Sequence, residues 1–154
     1  MRDIPADRSE AAGAADARPA PELVRVVAVE DDPDIRAVID LALGRFGGLA
    51  VTCCGCGRSA LETVPRIRPD LVLLDVMMPG MDGLETLARL RLDPQNGDVP
   101  AVFMTARVQP HHRADYLARG ALGVVAKPFD PLTLAEQLRQ LHAAHIRSCE
   151  RPPG

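Results

Sequence analysis

The chain has 154 residues with a formal net charge of -3, 47% hydrophobic and 25% charged residues. That length and balance suit one soluble domain with an adequate core, and they lack the basic footprint that direct nucleic-acid binding needs. No apolar run approaches the roughly 20 residues that span a bilayer, and Asp7, Glu10 and Asp16 break up any signal-peptide core. The expected compartment is the cytoplasm.

Residues 1–22 are rich in Ala, Pro, Asp and Arg without apolar periodicity and read as a disordered tail. The folded domain is expected over 23–147, with a second short tail over 148–154. Val24 to Val29 predicts a first strand. Asp32-Pro33 then reads as an N-cap followed by proline at the first helical position. Ile35, Val38, Ile39, Ala42 and Phe46 follow at helical spacing, and Gly47-Gly48 ends that helix. Ala50 to Cys53 predicts a second strand and Ser59 to Ile67 a second helix. Leu71 to Leu74 predicts a third strand, followed by a helix from Gly83 to about Leu92 with Leu84, Leu87 and Ala88 on one face. Ala101 to Met104 predicts the fourth strand, Pro110 to Arg119 a more polar helix, and Val124 to Ala126 the fifth strand. A last helix is expected from Pro131 to about His145, with Leu134, Leu138 and Leu141 inward.

Cys53, Cys54 and Cys56 crowd at the end of the second strand, and Cys149 stands alone. That is neither a disulfide framework nor the separated pairs of a structural zinc site, so they read as small residues at a strand end. His142, His145 and Cys149 share a helical face if the last helix continues, and His111-His112 are adjacent. Both sets read as solvated positions rather than ligands or phosphodonors.

Five strands alternating with five helices imply an α/β fold with a parallel sheet covered on both faces. Sites in such folds lie beyond the carboxyl ends of the strands, near the point where strand order reverses. The predicted strand tips carry Glu30-Asp31, Asp75, Thr105 and Lys127-Pro128. Asp75 is conspicuous because it ends the apolar run LVLL, where an unpaired charge is costly. Three converging carboxylates repel one another unless a cation compensates. Hard oxygen ligands in an incomplete cage favour Mg²⁺. An aspartate, a metal, a lysine and a hydroxyl at one place suit phosphoryl transfer, with the aspartate as nucleophile.

The segments VVAVEDDPDIR, PDLVLLDVMMPGMDG, PAVFMTA and GALGVVAKPFDP, in this order, resemble the receiver domain of two-component response regulators from about Leu23 to Ile146. Thr105 lies 30 residues and Lys127 52 residues beyond Asp75, as in that family. The resemblance implies a doubly wound, five-stranded, flavodoxin-like sheet with five helices. It makes Asp75 the phosphoacceptor, Thr105 the switch hydroxyl and Lys127 the phosphoryl-pairing lysine, followed by a cis Lys127–Pro128 peptide. It gives Mg²⁺ the ligands Asp31, Asp75 and the Met77 backbone carbonyl, with Glu30 acting through water. The function it implies is a phosphorylation-dependent switch that is not an enzyme. It accepts phosphoryl from a sensor histidine kinase or histidine phosphotransfer protein and signals to a downstream protein by contact or phosphorelay. It implies no nucleic-acid or membrane partner and leaves a phosphorylation-dependent homodimer open.

Four further expectations come with the resemblance. The aromatic residue that many receivers carry three positions before the lysine is Val124 here, so the aromatic half of the usual switch is missing. Arg107 and Met77 flank the path of an attacking water. Partner specificity is sought at Ile35, Arg36, Val38 and Ile39, and the output surface at the fourth helix, fifth strand and fifth helix. The chain is expected to be a stand-alone, single-domain receiver; rival readings are a pseudo-receiver that acts as a constitutive binding surface, and an aspartyl-phosphate hydrolase. The hydrolase needs an acid two residues after the nucleophile, where this chain has Met77.

Overall fold

A computed structural model describes residues 22–150; of the two tails expected at 1–22 and 148–154, residues 1–21 and 151–154 lie outside the described residues. Five strands form one parallel sheet: β1 Arg25–Val29, β2 Ala50–Cys54, β3 Leu71–Asp75, β4 Ala101–Thr105 and β5 Gly123–Ala126. They lie in the order β2-β1-β3-β4-β5, so the strand order reverses between β1 and β3. Helices α1 (Pro33–Asp40, continuing as π-helix over Leu41–Phe46), α2 (Gly57–Ile67), α3 (Gly83–Leu92), α4 (Pro110–Ala118) and α5 (Leu134–Glu150) cover the two faces.

The strands are apolar without alternation because both faces are packed. Every residue of β3 and β4 is buried. One face of the sheet, with Val27, Val29, Leu74 and Phe103, packs against α2, α3 and Tyr116 of α4. The other, with Val26, Ala28, Leu73 and Met104, packs against Ile39, Ala42 and Leu43 of α1 and Leu134 and Leu138 of α5. The strand register sets Asp75 beside Met104 and Thr105 beside Ala126, so the polar tips come level at one edge.

Several elements differ from the sequence reading. Phe46 is half-exposed. The π-turns wind wider than an α-helix, and they bring Gly47 rather than Phe46 toward α5, where a methyl group would collide with Ala135. On α3 the inward positions are Gly83, Thr86, Leu87 and Leu90, while Ala88 is exposed. Thr86 occupies a core position because its hydroxyl donates to the Asp82 carbonyl at 2.7 Å. The last helix begins at Leu134 and runs to Glu150, so residues 148–150 belong to it and not to a tail. His142 on that helix is buried rather than solvated, which separates it from the half-buried His145 and the exposed Cys149. Cys54 is buried, Cys53 half-buried and Cys56 exposed.

Candidate functional site

The loop after β1 supplies two carboxylates. Asp32 caps α1, accepting from the N–H groups of Asp34 (2.8 Å) and Ile35 (3.3 Å), with Pro33 opening the helix. That cap halts the chain just past β1 and leaves Glu30 and Asp31 at its tip. Glu30 is almost wholly buried and Asp31 half-buried. The Glu30 N–H donates to the Cys54 carbonyl at 3.0 Å, which ties the loop to the end of β2.

The third carboxylate is Asp75, the last residue of β3, 2% exposed. The chain turns away directly after it. The Gly83 N–H donates to the Val76 carbonyl at 3.0 Å, and a side chain at Gly83 would collide with the Asp75 carbonyl. Gly80 has φ +75, a backbone conformation that glycine adopts without steric cost. Asp82 then caps α3 through the Glu85 N–H at 2.8 Å.

Glu30, Asp31 and Asp75 each present a carboxylate oxygen, and these oxygens lie within 4.8 Å of one another. It is the only such group of three among the described residues. Lys127, at the tip of β5, sets its ammonium 3.1 Å from Glu30 Oε1 and 3.3 Å from Asp75 Oδ1. Its N–H donates to the Thr105 carbonyl at 2.9 Å, linking the tips of β4 and β5, and the Lys127–Pro128 peptide is cis. Thr105 is buried, and its hydroxyl oxygen accepts from the Arg107 N–H at 3.0 Å. The side chains of Met77 and Arg107 are exposed.

Burial raises the Glu30 carboxyl above its usual range; the Asp32 N–H and Lys127 oppose that rise, and the charge of Asp75 adds to it. Burial also works against the charge on Lys127, but hydrogen bonding to Glu30 and the charge of Asp75 outweigh it and hold the ammonium above its ordinary value. One ammonium thus faces three carboxylates, and the pocket is short of positive charge.

A pocket of this composition at the β1/β3 switch point is where a doubly wound sheet binds its ligand. The family model for the response regulator receiver domain matches residues 26–139. The chain belongs to the receiver-domain family. It is 37% identical over 130 residues to the DNA-binding response regulator MtrA of Mycolicibacterium smegmatis, covering 84% of this chain and 54% of that protein. It is 41% identical over 118 residues to the transcriptional regulatory protein CseB of Streptomyces avermitilis, covering 77% and 48%. The chain therefore spans about half the length of these relatives. The chemotaxis protein CheY4 of Vibrio cholerae superposes with a TM-score of 0.71 at 32% identity, covering 77% of this chain and 98% of that one.

The sequence reading named Glu30, Asp31, Asp75 and Lys127, which the structure brings together, and Thr105, which it ties to Lys127 through the backbone. It missed Arg36 as part of the site. Nη1 of Arg36 donates to the carbonyls of Glu30 (2.9 Å) and Asp31 (3.1 Å). It also missed that Ile39 is fully buried, which removes Ile39 from any contact surface. No periodicity could have told which way Arg36 turns. Among the described residues no helix is long and apolar enough to cross a membrane.

Proposed function

We propose that Asp75 is the phosphoacceptor of a Mg²⁺-dependent signalling switch in a two-component system. The observation that carries this reading is the cluster Glu30, Asp31 and Asp75 with a single ammonium against it. Such a pocket resists holding three negative charges, and a divalent cation relieves it. The donor set fits Mg²⁺, which takes a few carboxylate and carbonyl oxygens and keeps waters. Asp31, Asp75 and the Met77 carbonyl would hold it. Glu30 already engages Lys127 through Oε1 and the Asp32 N–H through Oε2, which supports a role through water rather than direct ligation. Mg²⁺ supplies charge neutralisation for the entering phosphoryl oxygens.

The chain's own groups then divide the work. Asp75 attacks phosphorus through a carboxylate oxygen, and the bond from phosphorus to the donor nitrogen breaks. Lys127 faces the added charge. Thr105 accepts from Arg107 through its oxygen, so its hydroxyl hydrogen is available to a phosphoryl oxygen. Val124 gives the switch no ring to reorient, so Thr105 and the loop that follows it carry the change. The donor is a histidine kinase or histidine phosphotransfer protein acting in the cytoplasm. An apolar groove of about 250 Å³ lined by Asp34, Ile35, Val38, Lys127, Pro128 and Phe129 adjoins the pocket and suits a partner helix.

Intact mass after incubation with acetyl phosphate tests the reading. A gain of one phosphoryl group that requires Mg²⁺, is released by hydroxylamine and is absent from Asp75→Asn is the expected result. An adduct that survives in Asp75→Asn would place the chemistry elsewhere. No adduct and no beryllofluoride binding by the folded chain would leave a binding module in place of a switch.

A further inference from the structure

Mg²⁺ at this site needs Asp31 and Asp75 held a few ångströms apart although both are negative. Asp75 is fixed by a buried strand. Asp31 lies on a loop, half-exposed, and something must hold that loop against the repulsion. Its backbone is pinned at two points. Ahead of the carboxylates, the Glu30 N–H is bonded to β2. On the far side, the carbonyls of Glu30 and Asp31 both accept from Nη1 of Arg36, at 2.9 and 3.1 Å. The Arg36 side chain is half-buried. A methyl group built on Gly55, in the loop after β2, would stand 2.9 Å from Nη1 and 3.5 Å from Cζ. The guanidinium therefore lies between the acidic loop and the bare backbone of Gly55.

We infer that Arg36 is a positioning residue for the metal: its guanidinium, seated against Gly55, clamps the Glu30 and Asp31 carbonyls and so sets the Asp31 carboxylate for a divalent cation. The inference rests on the Mg²⁺ reading above. A guanidinium suits the task because it stays charged at every physiological pH and presents planar, rigid donors. It compensates part of the pocket's negative charge without touching a carboxylate, so it leaves the carboxylate oxygens to the cation. Groups that orient metal ligands from behind affect metal affinity about as steeply as 10–100-fold when removed. Gly55 is part of the clamp because any side chain there displaces the far end of Arg36. That displacement is cheap in folding terms, since the end of a flexible side chain can move.

The test is thermal unfolding of the full chain at a series of Mg²⁺ concentrations. Preferential binding to the folded state raises Tm as the ion approaches its dissociation constant. Arg36→Ala and Arg36→Gln should each need at least about tenfold more Mg²⁺ for half the rise, and Arg36→Lys should fall between them and the wild type. A merely structural arginine would lower Tm without Mg²⁺ and leave the half-saturating concentration where it was. Gly55→Ala should raise the Mg²⁺ requirement in the wild-type background and add nothing in the Arg36→Ala background, the signature of two residues acting as one unit. Arg36 variants with wild-type Mg²⁺ dependence, or a Gly55→Ala effect that is the same in both backgrounds, would overturn the inference. A wild-type chain that ignores Mg²⁺ altogether overturns the metal reading first and this inference with it, and that outcome is visible before any variant is made.

Discussion

Strand β3 has an aspartate at each end, and the two could hardly be treated more differently. Asp70, just before the strand, is half-buried, and its Oδ2 accepts from the N–H groups of Val24 (3.0 Å) and Arg25 (2.8 Å) where β1 begins. Those bonds staple the start of β1 to β3, and nearby solvent screens the charge. Asp75, five residues on, is buried among like charges. It meets one shared ammonium at 3.3 Å and the Met77 N–H at a long 3.4 Å. A carboxylate placed for stability is satisfied by donors of the fold itself. Asp75 is left short of partners, as the chemistry proposed for it with an outside charge requires.

The largest expected contrast is in phosphoryl uptake. Asp75→Asn should abolish the Mg²⁺-dependent mass gain. Asp70→Ala should retain it, while losing about 1–2 kcal/mol of stability with the two charge-assisted hydrogen bonds. Urea unfolding and intact mass on the same two proteins check both halves. Loss of phosphorylation in Asp70→Ala with the fold intact would erase the distinction between the two ends.

Smaller in effect, but sharper in logic, is stability without metal. Asp75→Asn removes a like charge from beside Glu30, so Tm in Mg²⁺-free buffer should rise even though a buried polar contact is altered. Lys127→Met should do the reverse, costing about 2 kcal/mol. It leaves Glu30 and Asp75 without their cation, and one-sided removal of a buried pair is strongly destabilising, reduced here because the lysine is partly solvated. A drop in Tm for Asp75→Asn would mean that the pocket is satisfied as it stands, and the argument for a missing cation would fail.

The difference between the ends of β3 was half-legible in the sequence. LVLL running into Asp75 is an apolar run ending in a charge, and the spacing to Thr105 and Lys127 could be counted; hence the strand tips and the fold came through. Asp70 was not legible as a staple, because its partners are backbone groups 45 and 46 residues away. Helical period places Arg36 on the surface, since nothing in that period says that a long side chain will fold back onto the turn before its helix. The buried Thr86 escaped because its hydroxyl is satisfied locally, and hydropathy counts it as polar. The π-turns of Leu41–Phe46 escaped because LALGRF is as compatible with an α-helix. Local pattern carries what local pattern decides; side-chain direction is set by the neighbours that packing brings in.

The smallest effect lies at the quiet end. His142 on α5 is buried near Asp70, and burial lowers its pKa below the ordinary 6.5, with the charge of Asp70 opposing and His145 adding to the fall. The sign follows from linkage. The unfolded chain takes up the proton near 6.5 and the folded chain resists it, so the stabilising contribution is whole above 6.5 and is lost as pH falls from there through the folded value. His142→Gln should therefore flatten the pH dependence of Tm as pH falls below about 6.5, whatever it does to Tm at neutrality. Asp70→Asn should lower the His142 titration midpoint further, read from its ring resonances by NMR, because it removes the charge that holds the midpoint up. An unmoved midpoint would mean that Asp70 acts on its surroundings through its two hydrogen bonds alone.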